Sequence, residues 1–372
     1  MFIRIFAASA AAFLLVSCSI HPLPEDVTGV NTYHIARQIR CETRDAALQF
    51  LIRQLTRLAS DHDDQLGDPI ARQVLADYET DPDSISNFNP DRFPGPKYEQ
   101  VRNFYRVIYS TAIAYNFDLT MSEQNDLGTT VNLLGPWARK LTLAVSGDFN
   151  RNRTNERSFT VTDTFSELLV RVNVPVRGHR YCDGQIKQAN YVYPIAGHIG
   201  VDELVKTFFE LVYLGQLSDK DAAAGAIGAP TIADKLTFTT TIDGSSTPKV
   251  IFTPVGTGFQ LADASLTGSL NRTDTHKVTV GLAVDKDVLA YLTALRSYLF
   301  SRERSGGASV VSPSVRMARV PPRAPVHTPR LPADDIYVGT TLTAQARNWA
   351  EELAARAVDQ LKSRELQLIR AP

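Results

Sequence analysis

Residues 111–122 alternate. Ile113, Tyr115, Phe117, Leu119 and Met121 fall on one side, and Ala114, Asn116, Asp118, Thr120 and Ser122 on the other. A strand points successive side chains to opposite faces, so this period of two predicts a half-buried β-strand. Leu141, Leu143, Val145, Gly147 and Phe149 repeat it against Thr142, Ala144, Ser146, Asp148 and Asn150. Polar residues 150–157 predict a hairpin tip, beyond which Phe159, Val161 and then Leu168, Val170, Val172 and Val174 extend the sheet. A second sheet region follows, in which Leu236, Phe238 and Ile242 alternate with threonines. Asp243-Gly244 signals a turn, and residues 250–253 pair back. Leu266, Gly268 and Leu270 then face Val278, Val280 and Leu282 across a tip at 271–277.

The two regions echo one another. Ser146-Gly147-Asp148-Phe149-Asn150-Arg151 resembles Thr267-Gly268-Ser269-Leu270-Asn271-Arg272. A duplicated unit accounts for this, and so does the shared chemistry of hairpin tips.

Helical spacing flanks the strands. Ile35, Ile39, Ala46, Phe50 and Leu58 predict a long helix capped by Asn31 or Thr32. Asp68-Pro69 opens a second, with Ile70, Val74, Leu75 and Tyr78 inward. Val101, Phe104, Tyr105 and Ile108 mark a third, residues 201–214 a fourth, and residues 285–304 a fifth capped by Asp285. Ser218 with Asp221 resembles a capping box. Residues 341–364 carry an amphipathic stripe through Leu342, Ala346, Trp349, Leu353, Ala357 and Leu361, which must cover either the body or a partner.

The expected fold class is α+β, with antiparallel sheet regions packed on amphipathic helices, a Pro-rich linker and a C-terminal helix. The expected organisation is a signal peptide at 1–17, a tether at 18–31 and a helical region at 32–110. A first β region occupies 111–200, and a helix, a second β region and a closing helix occupy 201–304. A Pro/Arg-rich linker at 305–340 and the tail helix at 341–372 complete the chain.

The 372 residues are enough for a substantial core, and the net charge of −1 gives no broad attraction to nucleic acid or anionic lipid. No aromatic ladder interleaves the linker arginines, so no nucleic-acid partner is expected.

The first residues differ in kind. A short basic start at residues 1–4 precedes an apolar run at 5–16 that ends in Leu15-Val16-Ser17-Cys18. The run is too short to span a bilayer as a helix. This stretch resembles the signal and lipobox of bacterial lipoproteins. The resemblance implies a diacylglycerol on the Cys18 thiol, cleavage before Cys18 and acylation of the new amine. Ser19 in place of Asp resembles the outer-membrane sorting pattern, and the implied address is the outer membrane, facing the periplasm. An ordinary secretory signal with a chance cysteine is the alternative.

In an exported chain, the two remaining cysteines, Cys41 and Cys182, read first as one disulfide, with two buried thiols as the alternative.

Motifs for chemistry are sparse. No phosphate loop, H-E-x-x-H or G-x-S-x-G occurs. Asp61, Asp63 and Asp64 begin like a calcium loop, but Arg72 stands where the closing carboxylate belongs. His179, Cys182, Asp183, His198 and Asp202 include zinc-ligand types without a second close pair, so turn and cap roles are expected. No catalytic residue, metal ligand or cofactor is assigned.

Three functions fit these residues. The first is a lipid-anchored, non-catalytic envelope protein with a structural or protein-interaction role, meeting an envelope partner through residues 341–372. An alternative is a subunit of an oligomeric outer-membrane pore or export assembly, since strands with one apolar and one uncharged polar face also build membrane barrels. A second alternative is a periplasmic hydrolase centred on His179 and His198.

Overall fold

The computed structural model describes residues 21–60, 67–134, 142–218, 228–247, 249–251, 260–305, 337–338, 341–342 and 344–370. Each long helix begins where an oxygen meets its free N–H groups. Asn31 Oδ1 accepts the His34 N–H at 2.9 Å and starts α1 (Thr32–Ala59). Asp68 accepts from Ile70 and Ala71 and starts α2 (Pro69–Thr80), whose Pro69 sits where no N–H is needed. Three proline-led turns follow and lead into α3 (Glu99–Tyr109). Val201–Tyr213 forms α4, and Asp285 caps the turn before α5 (Leu289–Ser305).

The sheet is antiparallel, in the order β2-β1-β5-β3. Its strands are β1 (Thr111–Leu134), β2 (Thr142–Thr164), β3 (Thr231–Ser246) and β5 (Gln260–Val284), with short β4 (Lys249–Ile251) beside β5. The fold class is α+β. β1 has 24 residues and is roughly 80 Å long at the usual strand rise.

Several local expectations are corrected. Residues 150–157 and 271–277 are not hairpin tips but the interiors of β2 and β5, with Asn152 and Asn271 both opposite Gln124. On β2 the polar side chains are exposed or half-buried, whereas Arg272, Asp274 and His276 of β5 are buried and tolerated because they bond one another, Tyr193 and the Leu23 carbonyl. Asp243-Gly244 likewise continues β3, and β4 pairs with β5 instead of β3. Leu168, Val170 and Val172 lie in helical turns (Phe165–Glu167 and Leu168–Val172), started by Thr164 Oγ1 accepting the Glu167 N–H at 3.2 Å. Asp221 and most of the 305–340 linker lie outside the described residues.

The sheet has two faces. The helix face carries Ile113, Tyr115, Phe117, Leu119 and Met121 from β1 and Val278, Val280 and Leu282 from β5, all fully buried. They form one core with α1, α3, α4 and α5. Within it Phe50 stacks on Phe209 at 4.6 Å and Phe104 on Tyr213 at 4.5 Å. Arg40 of α1 grips Asp163 of β2 through two bonds of 2.7 and 2.6 Å.

The opposite, tail face is covered at the same end by α6 (Ala344–Arg370). Ala354 and Val358 meet Ala112, Ala114 and Ala283. Lys362 reaches Asp118 at 2.8 Å and Arg347 reaches Glu167 at 3.1 Å. The tail helix therefore covers the protein's own sheet.

Candidate functional site

Following the helix face outward along the strands, three zones appear. The first is the buried core just described. In the second, the alternate positions become polar: Glu123 on β1; Arg151, Arg153, Asn155 and Arg157 on β2; Arg272, Asp274 and His276 on β5. Arg153 bonds Glu123 at 2.7 Å, and Arg272 Nε donates to Asp274 at 3.0 Å. Tyr193 donates to Asp274 at 2.9 Å and contacts His276 Nε2. Burial pushes the His276 pKa down to about 4, helped by Arg272 and opposed by Asp274.

In the third zone the face becomes mainly apolar again, and none of the described residues covers it. Leu127, Val145, Phe149, Leu266 and Leu270 are 43–64% exposed. The equivalent positions nearer the helices are fully buried on β1 and β5 and half-buried on β2. The tail face at this level carries Gln124, Asp126, Thr130, Asn132, Asn150, Asn152, Ser265, Thr267 and Ser269. The distal sheet is thus mainly apolar on one side, Asn125 and Thr129 aside, and hydrophilic on the other, without a partner layer among the described residues. The echoed segments are aligned with this division, because Phe149 with Leu270 and Arg151 with Arg272 share the helix face.

The N-terminal segment is tied to the charged zone. Asn155 donates to the Pro22 carbonyl at 3.0 Å and Arg272 to the Leu23 carbonyl at 2.6 Å, while Arg157 bonds the Thr32 hydroxyl. Cys18 and the rest of its motif precede the described residues.

The polar residues singled out in the sequence divide. Cys182 forms a disulfide with Cys41, Cα to Cα 5.6 Å. His179 is exposed in a turn, bonded only through its backbone to Val176 among the interactions described. Asp183 accepts the Arg180 N–H at 2.7 Å. His198 and Asp202 come together with Glu42, which the sequence did not flag. His198 Nδ1 lies 3.4 Å from Glu42, and its Nε2 lies 3.4 Å from Asp202. These three side chains border a cavity of about 240 Å³ and each has a ligand atom within 4.8 Å of the others. Glu42, however, already accepts the N–H groups of Ile199, Gly200 and Val201 at 3.0, 2.7 and 2.7 Å. Burial pushes its pKa up while these N–H groups pull it down. The geometry makes it a cap for α4 supplied by α1, a role with no local sequence signal because its partners are more than 150 residues away.

Among the described residues, no helix is long and apolar enough to cross a membrane.

Comparison with solved structures returns secretins at low similarity. They include the Salmonella SPI-1 type III secretion injectisome secretin InvG (TM-score 0.20, 10% identity, 53% of this chain and 71% of that one). Aeromonas hydrophila ExeD is similar at TM-score 0.21, 11% identity and 73% of each chain. At such scores no common fold follows. Sequence similarity reaches further. Uncharacterized protein y4kA of Sinorhizobium fredii (strain NBRC 101917 / NGR234) is 35% identical over 286 residues, 76% of this chain and 83% of that protein. The family model described as Uncharacterised protein y4kA matches residues 21–290, a span that takes in α1 to α4 and the whole sheet. The chain belongs to the y4kA family.

Proposed function

We propose that the protein is a lipid-anchored, non-catalytic subunit of an oligomeric outer-membrane pore. The observation that carries this reading is the distal sheet, mainly apolar and uncovered by the described residues on the helix face and hydrophilic on the tail face. Water on both sides would leave the exposed leucines, valine and phenylalanine uncompensated. A bilayer on one side and a water-filled lumen on the other suits both faces. A membrane strand takes about 9–11 residues, and the stretch of β1 beyond the charged zone, residues 125–134, is of that length. Four long strands are too few to close a barrel, so several copies must contribute.

The N-terminus supports the same arrangement. Pro22 and Leu23 are held against Asn155 and Arg272, within the charged zone that precedes the apolar band. Cys18 lies four residues before Pro22, within about 14 Å of it even fully extended. That tether is long enough for a lipid on Cys18 to reach the level where the apolar band begins. Arg151, Arg153 and Arg272 would then sit at the headgroup level, where arginine is favoured.

The test is incorporation of the purified lipoprotein into planar bilayers. Discrete conductance steps are expected, with detergent needed to keep even a chain starting after Cys18 in solution. A Cys18-less chain that is monodisperse without detergent, together with no conductance from the lipidated form, would sink the pore reading.

A further inference from the structure

Resting on the pore reading, we infer that the junction between copies is β2 of one chain paired antiparallel with β3 of the next. These strands form the two edges of the sheet, short β4 continuing the β3 edge beside residues 263–265, and among the described residues each has a single strand neighbour. Every pairing in the order β2-β1-β5-β3 is antiparallel, so β2 and β3 run in opposite directions. A second copy placed beside the first by rotation about an axis along the strands therefore brings an antiparallel β3 against β2. No reversal is needed, and the same step repeats until the ring closes.

Natural edges are blunted by proline, by bulges or by shortness. Neither β2, with 23 residues, nor β3, with 16, contains proline, and neither pairing shows a register shift; Pro248 comes only between β3 and β4, which keeps the same register on β5. On the helix face both edges end in half-buried apolar side chains, Phe159 and Val161 on β2 and Ile232 and Phe238 on β3, packed against the core on one side only. Pairing in matched orientation would join these into one row. On the tail face it would set Thr154, Ser158, Thr160 and Thr162 across from Thr237, Thr239 and Thr241, a favourable hydroxyl pairing.

Charge selects unlike edges. β2 carries Arg151, Arg153 and Arg157 on the helix face, so two β2 edges would bring arginines together, whereas β3 has no basic residue on that face and offers Asp234. Pairing of like edges would also stop at a dimer.

The experiment is cysteine crosslinking of the full-length protein in isolated membranes. Thr241→Cys on β3 is combined in turn with Asn150→Cys, Asn152→Cys, Thr154→Cys, Glu156→Cys or Ser158→Cys on β2, all exposed on the tail face. Upon oxidation with copper phenanthroline, at least one double variant should give a ladder extending past dimer, while each single variant stays monomeric. Dimers from a β2 single variant would overturn the inference in favour of like-edge pairing. Conductance without a ladder from any combination would overturn it while leaving the pore reading intact. A ladder without conductance would do the reverse.

Discussion

Leu119 and Leu127 project from the same face of β1, eight residues apart, yet Leu119 is fully buried and Leu127 is 44% exposed. The helices stop between them and the strand does not. A globular sheet strand ends near its cover; β1 continues beyond it for the length that the proposed pore would place in a bilayer.

Substitutions on either side of that boundary should act on different measurements. Phe117→Ala empties a fully buried site and should cost about 3–5 kcal/mol of stability, read as a fall in the denaturation midpoint. Phe149→Asn, at 64% exposure, should change stability by less than about 0.5 kcal/mol. It should nonetheless reduce membrane insertion, read by flotation with liposomes. A large stability loss from Phe149→Asn would mean that this residue is covered within the single chain.

The tail helix is seated on a glycine. A Cβ at Gly281 would lie 2.5 Å from the Ala354 carbonyl and 2.8 Å from Val358, a clash with backbone that only movement of α6 relieves. Gly281→Val should release the helix and leave the rest of the sheet paired. Limited proteolysis should then remove residues 344–370 well before the body is cut. Equal protection in wild type and variant would mean that the sheet yields instead.

Reduction should weaken the body. The Cys41–Cys182 bridge closes a separation of 141 residues and joins α1 to the segment before α4. On the chain-entropy account the loss is about 5 kcal/mol, less whatever structure the reduced unfolded chain retains. Urea midpoints with and without reductant measure it, and Cys41→Ser with Cys182→Ser should reproduce the reduced value.

His276 makes stability pH-dependent. Its folded pKa, about 4, is below the ordinary value of 6.5, so between these values the unfolded chain binds a proton that the folded one refuses. Its contribution is complete above pH 6.5 and is lost as pH falls toward 4, by about 3 kcal/mol in all. Asp285, pushed up to about 6 by burial, acts in the opposite sense, because its ionisation disfavours the fold as pH rises from 4 to 6. Comparing wild type with His276→Gln between pH 7 and pH 4 isolates the histidine. The variant should lose less stability over that interval, and parallel curves would contradict the assignment.

Much of this architecture is written in local pattern. Asn31 and Asp68 named their helix starts because a cap is a contact within four residues. The alternation from Ile113 to Met121 named a strand and its buried face, since the period of two holds wherever a strand lies. The same reasoning failed at 150–157, where polar composition fits a tip and a half-exposed strand equally, and at 271–277, where Arg272, Asp274 and His276 are buried with partners distant in sequence. It failed at 168–172 because valines at alternate positions also fit one side of a short helical turn.

What lay in the sequence alone, then, was the repertoire of elements, the amphipathic character of the strands and the motif around Cys18, all properties of neighbours along the chain. Only the tertiary structure decided how far the strands outrun the helices, that Glu42 caps a helix 159 residues away, and that α6 takes the tail face. Those outcomes depend on which distant segments meet. Burial is decided by the layer that covers a residue, and no local pattern records where that layer ends.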